Sequence, residues 1–283
     1  MRGVPPPDAP LDAGALRRTL GPPAGPWASV TVVERTGSTN ADLLARTGGA
    51  DPAPDRSVLV AEHQDAGRGR RDRTWDDRAG EGLTFSVLLR PREVAVERWG
   101  WAPLLAGLAL VEAVGEVTGR SVPAALKWPN DLLLGADPAA KGAGVLAEVG
   151  AGQGPERALV VGIGLNVATP AADLPTGGTS LAEQGADVGR EAVLVAVLRA
   201  LADLDARWRA AFGDVVAAGL VDDYRAHCAT LGREVRVLLP GDRLLEGRAV
   251  DVDRDGRLAV RAPDGDTTVV SAGDVVHVRP AAR

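Results

Sequence analysis

Cysteine and histidine are nearly missing from this chain. Cys228 is the only cysteine in 283 residues, so no intrachain disulfide can form, and a lone thiol of this kind reads as a small packing residue. The three histidines, His63, His227 and His277, are too scattered to suggest a metal cluster, and no tightly bound metal is expected. No run approaches the roughly 18 to 20 uncharged apolar residues that a bilayer span needs. The opening stretch, MRGVPPPDAP, has no apolar signal core. These two observations predict a cytoplasmic protein without a membrane partner. Positive charge is in deficit as well. With 32 Lys and Arg against 38 Asp and Glu, the net charge is -6, which argues against a general nucleic-acid coat. No internal repeat of diagnostic period is present.

What is there describes an ordinary globular protein, 45% apolar and 25% charged, long enough for one large core plus a small accessory unit. Residues 1–26 are rich in Pro, Gly and Ala with one short helical candidate, LDAGALRRTL, and read as a mostly flexible tail. SVTVVER reads as a strand, followed by TGSTNADLLART, where Ser38, Thr39 or Asn40 can cap a helix. SVLVAEH and LTFSVLL are two more strands. Apolar residues recurring at three- and four-residue steps from Trp99 to Val117 predict a helix, as does the stretch Gly189 to Ala211, with a shorter helix from about Val216 to Cys228. ALKWPNDLLL and GAGVLAEVG read as strands joined by a turn-rich linker around Gly135 to Ala140, and ALVVGIGLNV as a third. After Leu231 come short alternating strands punctuated by Asp255-Gly256 and Asp264-Gly265 turns, the pattern of a small β-barrel.

Against this acidic background, four arginines crowd into the seven residues from Gly67 to Arg73, within EHQDAGRGRRDRTW and between two strands. Glycine-hinged forked donors of this kind fold around phosphate or carboxylate oxygens. The bland alternative is a solvated basic loop or an RGG-like nucleic-acid contact. Gly37 to Asn40, GSTN, offers hydroxyl and amide groups at a helix start, useful for a ligand or for plain capping. KWPND, from Lys127 to Asp131, sets a cation, an amide and a carboxylate around a proline-fixed bend, suited to triphosphate and Mg²⁺ but also a passable turn. KGAGVLAEV puts Lys141 just before Gly142 and Gly144 at a strand start, a candidate holder of negative charge. GIGLN, Gly162 to Asn166, lacks the third glycine of a dinucleotide fingerprint and sits within a strand, so a Rossmann reading is rejected.

The order STN, QDAGRGRRDRTW, KWPND, KGAGVLAE, GIGLN resembles the catalytic module of the biotin protein ligases, or biotin–[acetyl-CoA-carboxylase] ligases. The resemblance covers roughly Val30 to Cys228, and the last segment is similar to the family's C-terminal SH3-like domain. It implies an α/β fold, a mixed sheet flanked by helices followed by a small SH3-like β-barrel. The implied division is a tail over 1–26, a catalytic unit over 27–229 and the β unit over 230–283. It also implies an enzyme that activates biotin with ATP and Mg²⁺ to biotinyl-5′-adenylate and passes the acyl group to a lysine of a biotin carboxyl carrier domain of acetyl-CoA or a related acyl-CoA carboxylase.

Carried over from the family, the biotin pocket falls on Ser38, Thr39, Asn40, Gln64, Gly67, Arg68, Arg70, Lys141, Gly142, Gly144, Gly162 and Gly164. The nucleotide contacts fall on Arg68, Arg70, Arg73, Trp75, Lys127, Asn130, Lys141 and Asn166. Lys141, Arg70 and Asp131 are the implied catalytic set, with Asp131 as the Mg²⁺ ligand. The connection from Asp131 to Lys141 is a few residues longer than is usual in the family, and Asp72 stands where a glycine or neutral residue is common. Family members that are also repressors need a DNA-binding domain of about 60 residues before the first catalytic strand; the short leader predicts a monofunctional ligase without a DNA partner, a monomer or weak homodimer. Lipoate ligases and octanoyltransferases share the general fold, but the GRGRRDRTW and KWPND pair favours biotin.

Overall fold

The computed structural model describes residues 10–70, 73–76, 78–136, 140–150, 157–239, 243–271 and 274–277. Asp72, part of the turn-rich linker before Ala140 and residues 1–9 lie outside them.

The tail read over 1–26 is instead seated on the protein from residue 10 onward. Helix α1 (Ala13–Leu20) starts at Asp12, whose carboxylate accepts from Gly14 N at 2.8 Å and Ala15 N at 2.9 Å. Its apolar face carries Leu16 and Leu20, both 0% exposed, into the core beside Trp27. Fully burying such side chains contributes about 1.5–3 kcal/mol each, which offsets part of the cost of ordering a short helix. Outside the helix, Leu11 N donates to Glu62 Oε1 at 2.6 Å, and Trp27 Nε1 to Leu198 O at 3.1 Å. The helical candidate LDAGALRRTL is this helix; the Pro- and Gly-rich composition around it hid its packing on the core.

Seven strands form the main sheet: β1 (Ser29–Thr36), β2 (Ser57–Gln64), β3 (Gly82–Leu89), β4 (Ala124–Lys127), β5 (Asp131–Leu134), β6 (Ala140–Val149) and β7 (Leu159–Asn166), in the order β1-β2-β3-β7-β6-β5-β4. β1 and β2 run parallel and the other neighbours antiparallel. Helices α3 (Ala102–Val117) and α4 (Arg190–Ala210) cover one face, and α2 (Thr39–Ala45) the other. Period-2 alternation sorts the side chains between them. Phe85, Val87, Val161 and Ile163 join the main core under α3 and α4, whereas Leu88 and Val160 join a smaller core with Leu43 of α2. Because both faces are covered, β2 and β3 read as almost continuous apolar runs.

The stretch ALKWPNDLLL, read as one strand, is a hairpin: β4 and β5 pair antiparallel, with Lys127 opposite Asp131, and Trp128 to Asn130 form the turn. Pro129, which has no N–H to give a ladder, sits there after a cis Trp128–Pro129 bond. The stretch Val96–Val117, 22 residues containing an 18-residue segment with a mean hydropathy of 1.4, is long and apolar enough to cross a membrane, but 67% of that segment is buried within this protein; the stretch is the core helix α3 with the turn before it.

After helix α5 (Leu220–His227) the chain forms a five-stranded antiparallel sheet, β8 (Glu234–Leu238), β9 (Leu244–Val252), β10 (Leu258–Arg261), β11 (Thr267–Val270) and β12 (Asp274–His277), in the order β11-β10-β9-β8-β12. Its β9–β10 turn, with Gly256 at φ +77, presses on the main unit. Trp101 Nε1 donates to Arg254 O at 2.8 Å and Trp128 Nε1 to Gly256 O at 2.9 Å. Arg225 of α5 grips Asp251 at 2.8 and 2.9 Å. Apolar residues of both sheets belong to one core. Trp101→Phe keeps most of the ring packing and strips the buried donor. It should lower unfolding stability by about 1–3 kcal/mol, read as a lower urea midpoint with an unchanged slope.

Candidate active site

The alternation that fills the small core under α2 changes character along the strands. On that face, β3 runs Leu88, Ser86, Thr84; β7 runs Val160, Gly162, Gly164; and β6 runs Glu148, Leu146, Gly144. Register sets these side by side, Ser86 opposite Gly162 opposite Leu146, and Thr84 opposite Gly164 opposite Gly144. Large apolar side chains thus give way to hydroxyls and bare backbone. The result is a cavity of about 200 Å³ roofed by α2, the arginine loop and the Lys127–Asp131 hairpin tip.

The wall under α2 is a network of hydrogen bonds. Ser38 caps the helix, accepting from Ala41 N at 3.4 Å. Gln64 Oε1, at the end of β2, accepts from Thr39 N at 2.7 Å and lies 3.0 Å from Thr39 Oγ1. Thr39 Oγ1 is 2.7 Å from Ser86 Oγ, which donates to Asn40 Oδ1 at 2.6 Å, and Asn40 Nδ2 donates to Glu148 Oε2 at 2.9 Å. Thr39, Asn40 and Ser86 are buried, so this polar wall is fully engaged, as burial requires.

The arginine loop folds back on itself. Gly69 N donates to Arg73 O at 2.7 Å and Trp75 N to Gly67 O at 3.0 Å, with Arg68 bridged to Thr74. A Cβ on Gly67 would lie 2.1 Å from Trp75 O, so the hairpin closes only over glycine. Arg68 Nη2 reaches Glu148 Oε1 at 2.9 Å, and Arg70 Nη1 reaches Asn130 Oδ1 at 2.9 Å, which joins the loop to the hairpin tip. Lys141 Nζ lies 2.7 Å from Asp131 Oδ1 and 5.9 Å from the Trp75 ring centroid. The longer connection before Lys141 therefore leaves it in the cavity wall. Arg68, Arg70, Arg73, Lys127 and Lys141 face the lone carboxylate of Asp131 among the described lining residues, five cations to one anion. One end of the cavity is neutral and hydrogen-bonding; the other is built for negative charge.

Most of the residues singled out in the sequence line this cavity: Ser38, Thr39, Asn40, Gln64, Arg68, Arg70, Arg73, Trp75, Lys127, Asn130, Asp131, Lys141, Gly144, Gly162 and Gly164. Gly67, Gly142 and Asn166 do not. Gly67 closes the loop. Gly142 faces Leu134, whose Cδ1 would stand 2.3 Å from an added Cβ. Asn166 Nδ2 donates to Thr179 O at 3.0 Å, while Thr179 N donates to Lys141 O and Lys141 N to Gly177 O, each at 2.9 Å. Asn166 thus braces the segment that holds the Lys141 backbone.

Sequence reasoning missed Thr84, Ser86, Glu148 and the brace at 177–179. Only the glycines of PTGGTS hinted at the last. Among the described residues there is no cluster of three or more potential metal ligands. Cys228 is buried, which pushes its thiol up, and lies at the end of α5 away from the cavity lining.

Comparison with known proteins gives two family matches, the Biotin/lipoate A/B protein ligase family over residues 32–166 and the Biotin protein ligase C terminal domain over residues 230–278. A Mycobacterium tuberculosis biotin–[acetyl-CoA-carboxylase] ligase is 43% identical over 275 residues, 95% of this chain and 97% of the relative. A Paracoccus denitrificans biotin–[acetyl-CoA-carboxylase] ligase is 32% identical over 244 residues, 85% and 98% of the two chains. The Aquifex aeolicus biotin protein ligase, solved in complex with biotin and ATP, superposes with a TM-score of 0.70 at 27% identity, covering 90% of this chain and all of that one.

Proposed function

Since the chain belongs to the biotin–[acetyl-CoA-carboxylase] ligase family, we propose that its cavity joins biotin to ATP and hands the activated acyl group to a carrier lysine. In the first step the biotin carboxylate attacks the α-phosphorus of ATP. A P–O bond forms, pyrophosphate leaves, and biotinyl-5′-adenylate remains. In the second, a lysine amine of a biotin carboxyl carrier domain attacks the acyl carbon, AMP leaves with the bonding pair, and the amine's proton is lost to base or solvent.

The observation that carries this reading is the division of one cavity into two chemistries. Biotin's ring system is uncharged, and the neutral end offers Ser38, Thr39, Asn40 and Gln64 with the bare backbone at Gly162. The reacting carboxylate and the phosphates bring several negative charges together, and Arg68, Arg70, Arg73, Lys127 and Lys141 stand where they must meet. Preorganised cations aimed at developing charge commonly lower the barrier of such a step more than any other single effect. Trp75 supplies a face for the adenine, and Asn130 holds Arg70. Asp131 is the one acidic side chain of the described lining, so Mg²⁺ arriving on ATP would share that carboxylate with Lys141; such ions usually take one or two carboxylates and fill the rest with phosphate oxygens and water. Asn166 belongs to this set as a brace for Lys141 rather than as a direct nucleotide contact.

Residues 27–229 form the catalytic unit in this reading, and 230–283 the SH3-like unit that steadies the hairpin tip through Trp128. The need for ATP and a carboxylase partner fits a cytoplasmic enzyme, a monomer or weak homodimer. Incubation with biotin, MgATP and a carrier domain, followed by intact mass of the carrier, should show one biotinyl adduct that requires all three. Parallel reactions with lipoate and octanoate should leave the carrier unmodified. A lipoyl or octanoyl adduct in place of the biotinyl one would move the chain to another branch of the fold.

A further inference from the structure

Glu148 sits between two parts of the proposed site without lining the cavity. It is on β6, opposite Val160, on the same sheet face as Leu146 and Gly144. Its Oε1 takes Arg68 Nη2 at 2.9 Å and its Oε2 takes Asn40 Nδ2 at 2.9 Å. One oxygen thus holds the near arm of the arginine loop, and the other holds an amide of the pocket wall. We infer that Glu148 is a positioning residue that ties the arginine loop to the biotin end of the cavity; the inference rests on the ligase reading above.

Two features make the carboxylate, rather than any polar residue, the right group. An amide side chain presents an oxygen or a nitrogen depending on which way it is turned. Ser86 Oγ donating to Asn40 Oδ1 at 2.6 Å and Glu148 accepting from Asn40 Nδ2 fix that choice from both ends. A glutamine at 148 would have one acceptor for two donors, and its NH₂ would confront either the Asn40 amide or the Arg68 guanidinium. The second feature is β6 itself. The strand that carries Glu148 near its end carries Lys141 near its start, and it is paired along its length, with β5 from Ala140 to Gly144 and with β7 from Ala143 to Val149. The spacing between the lysine and the loop's anchor is therefore set by a strand within the sheet.

Arg68 is half exposed, with 50% of its side chain accessible, so the ion pair adds little to the stability of the fold. What it changes is how often the loop lifts. Glu148→Gln should raise the dissociation rate of biotinyl-adenylate about two- to fivefold, the range an exposed pair of this kind supports. It should also weaken biotin affinity, through the freed Asn40 amide.

The test has two readouts. Adenylate release is measured in the native protein, Glu148→Gln, Arg68→Ala and the double variant. If Glu148 acts through Arg68, the double variant releases more slowly than the product of the two single effects requires; fully multiplicative effects, or no change in Glu148→Gln, overturn the inference. Trypsin cleavage after Arg68 and Arg70 in the ligand-free protein does not depend on the reaction and tracks the open population of the loop. It should be faster in Glu148→Gln by the same two- to fivefold, and Glu148→Asp should recover only part of the protection. Equal cleavage would overturn the inference even if no adenylate were formed. Absence of adenylate from the native protein, with cleavage changed as expected, would instead overturn the ligase reading and leave the loop tether standing.

Discussion

Lys141→Ala should form biotinyl-adenylate about 10²- to 10³-fold more slowly, a loss of roughly 2.7 to 4 kcal/mol of transition-state stabilisation. As the carboxylate and the α-phosphate approach, like charges meet and negative charge builds on the phosphoryl oxygens. A compact ammonium in reach of both is the group that opposes this. Lys141 is held for the task from two sides, by Asp131 Oδ1 at 2.7 Å from its Nζ and by backbone bonds to Gly177 and Thr179 at 2.9 Å. Biotin affinity should fall much less, because the ring pocket lies at the other end. Lys141→Arg should restore only part of the rate, since a planar fork does not replace a point charge. Lys127→Ala is the control and should act mainly on ATP affinity. Pre-steady-state adenylate formation together with biotin titration calorimetry decides it; near-normal adenylation in Lys141→Ala would transfer the role to Lys127.

Gly162→Ala should weaken biotin binding by at least about tenfold, the factor that goes with about 1.4 kcal/mol. An added Cβ would lie 2.2 Å from Asn40 Oδ1. An exposed amide would swing away, but Asn40 is 4% exposed and is held by Ser86, Glu148 and the Leu146 carbonyl. Overpacking at a fixed site of this sort commonly costs about 1–3 kcal/mol. The neighbouring change Gly164→Ala meets a different group, Trp75 Cε2 at 2.2 Å, and should act on ATP affinity and adenylate retention instead. Titration of each variant with biotin and with ATP separates the two ends of the cavity. If both variants lost the same ligand, the proposed division of the site would be wrong.

The ligand-facing motifs were legible in sequence because each is contiguous: STN at a helix start, the arginine loop between two strands, the lysine before paired glycines. Helix α4 was legible for the same kind of reason, a long local period. Contacts set by sheet register were not. Ser86 meets Asn40 across 46 residues and Glu148 meets it across 108; nothing near Ser86 in the chain marks it as special, and Glu148, although it closes the KGAGVLAE stretch, gives no local sign of its partners. The hairpin at Trp128 was half legible: Pro129 marked a bend, but the apolar residues on both arms match one continuous strand. Helix α1 was legible as a candidate but its anchoring was not: eight residues with two leucines carry little weight against the prolines and glycines around them until Trp27 and the sheet provide something to pack on.

The joint between the two sheets has a consequence for how such a chain can change over generations. Both indoles, Trp101 and Trp128, donate to main-chain oxygens of the β9–β10 turn, at Arg254 and Gly256. A carbonyl is supplied by every amino acid. The turn is therefore free to exchange the side chains of Arg254 and Asp255 as long as Gly256 keeps its left-handed conformation, while neither tryptophan can be replaced without losing a donor. Tolerance across this seam is lopsided, permissive on the small sheet and strict on the large one. A library randomised at 254 and 255 should keep most of its members active, and one randomised at 101 and 128 should keep few.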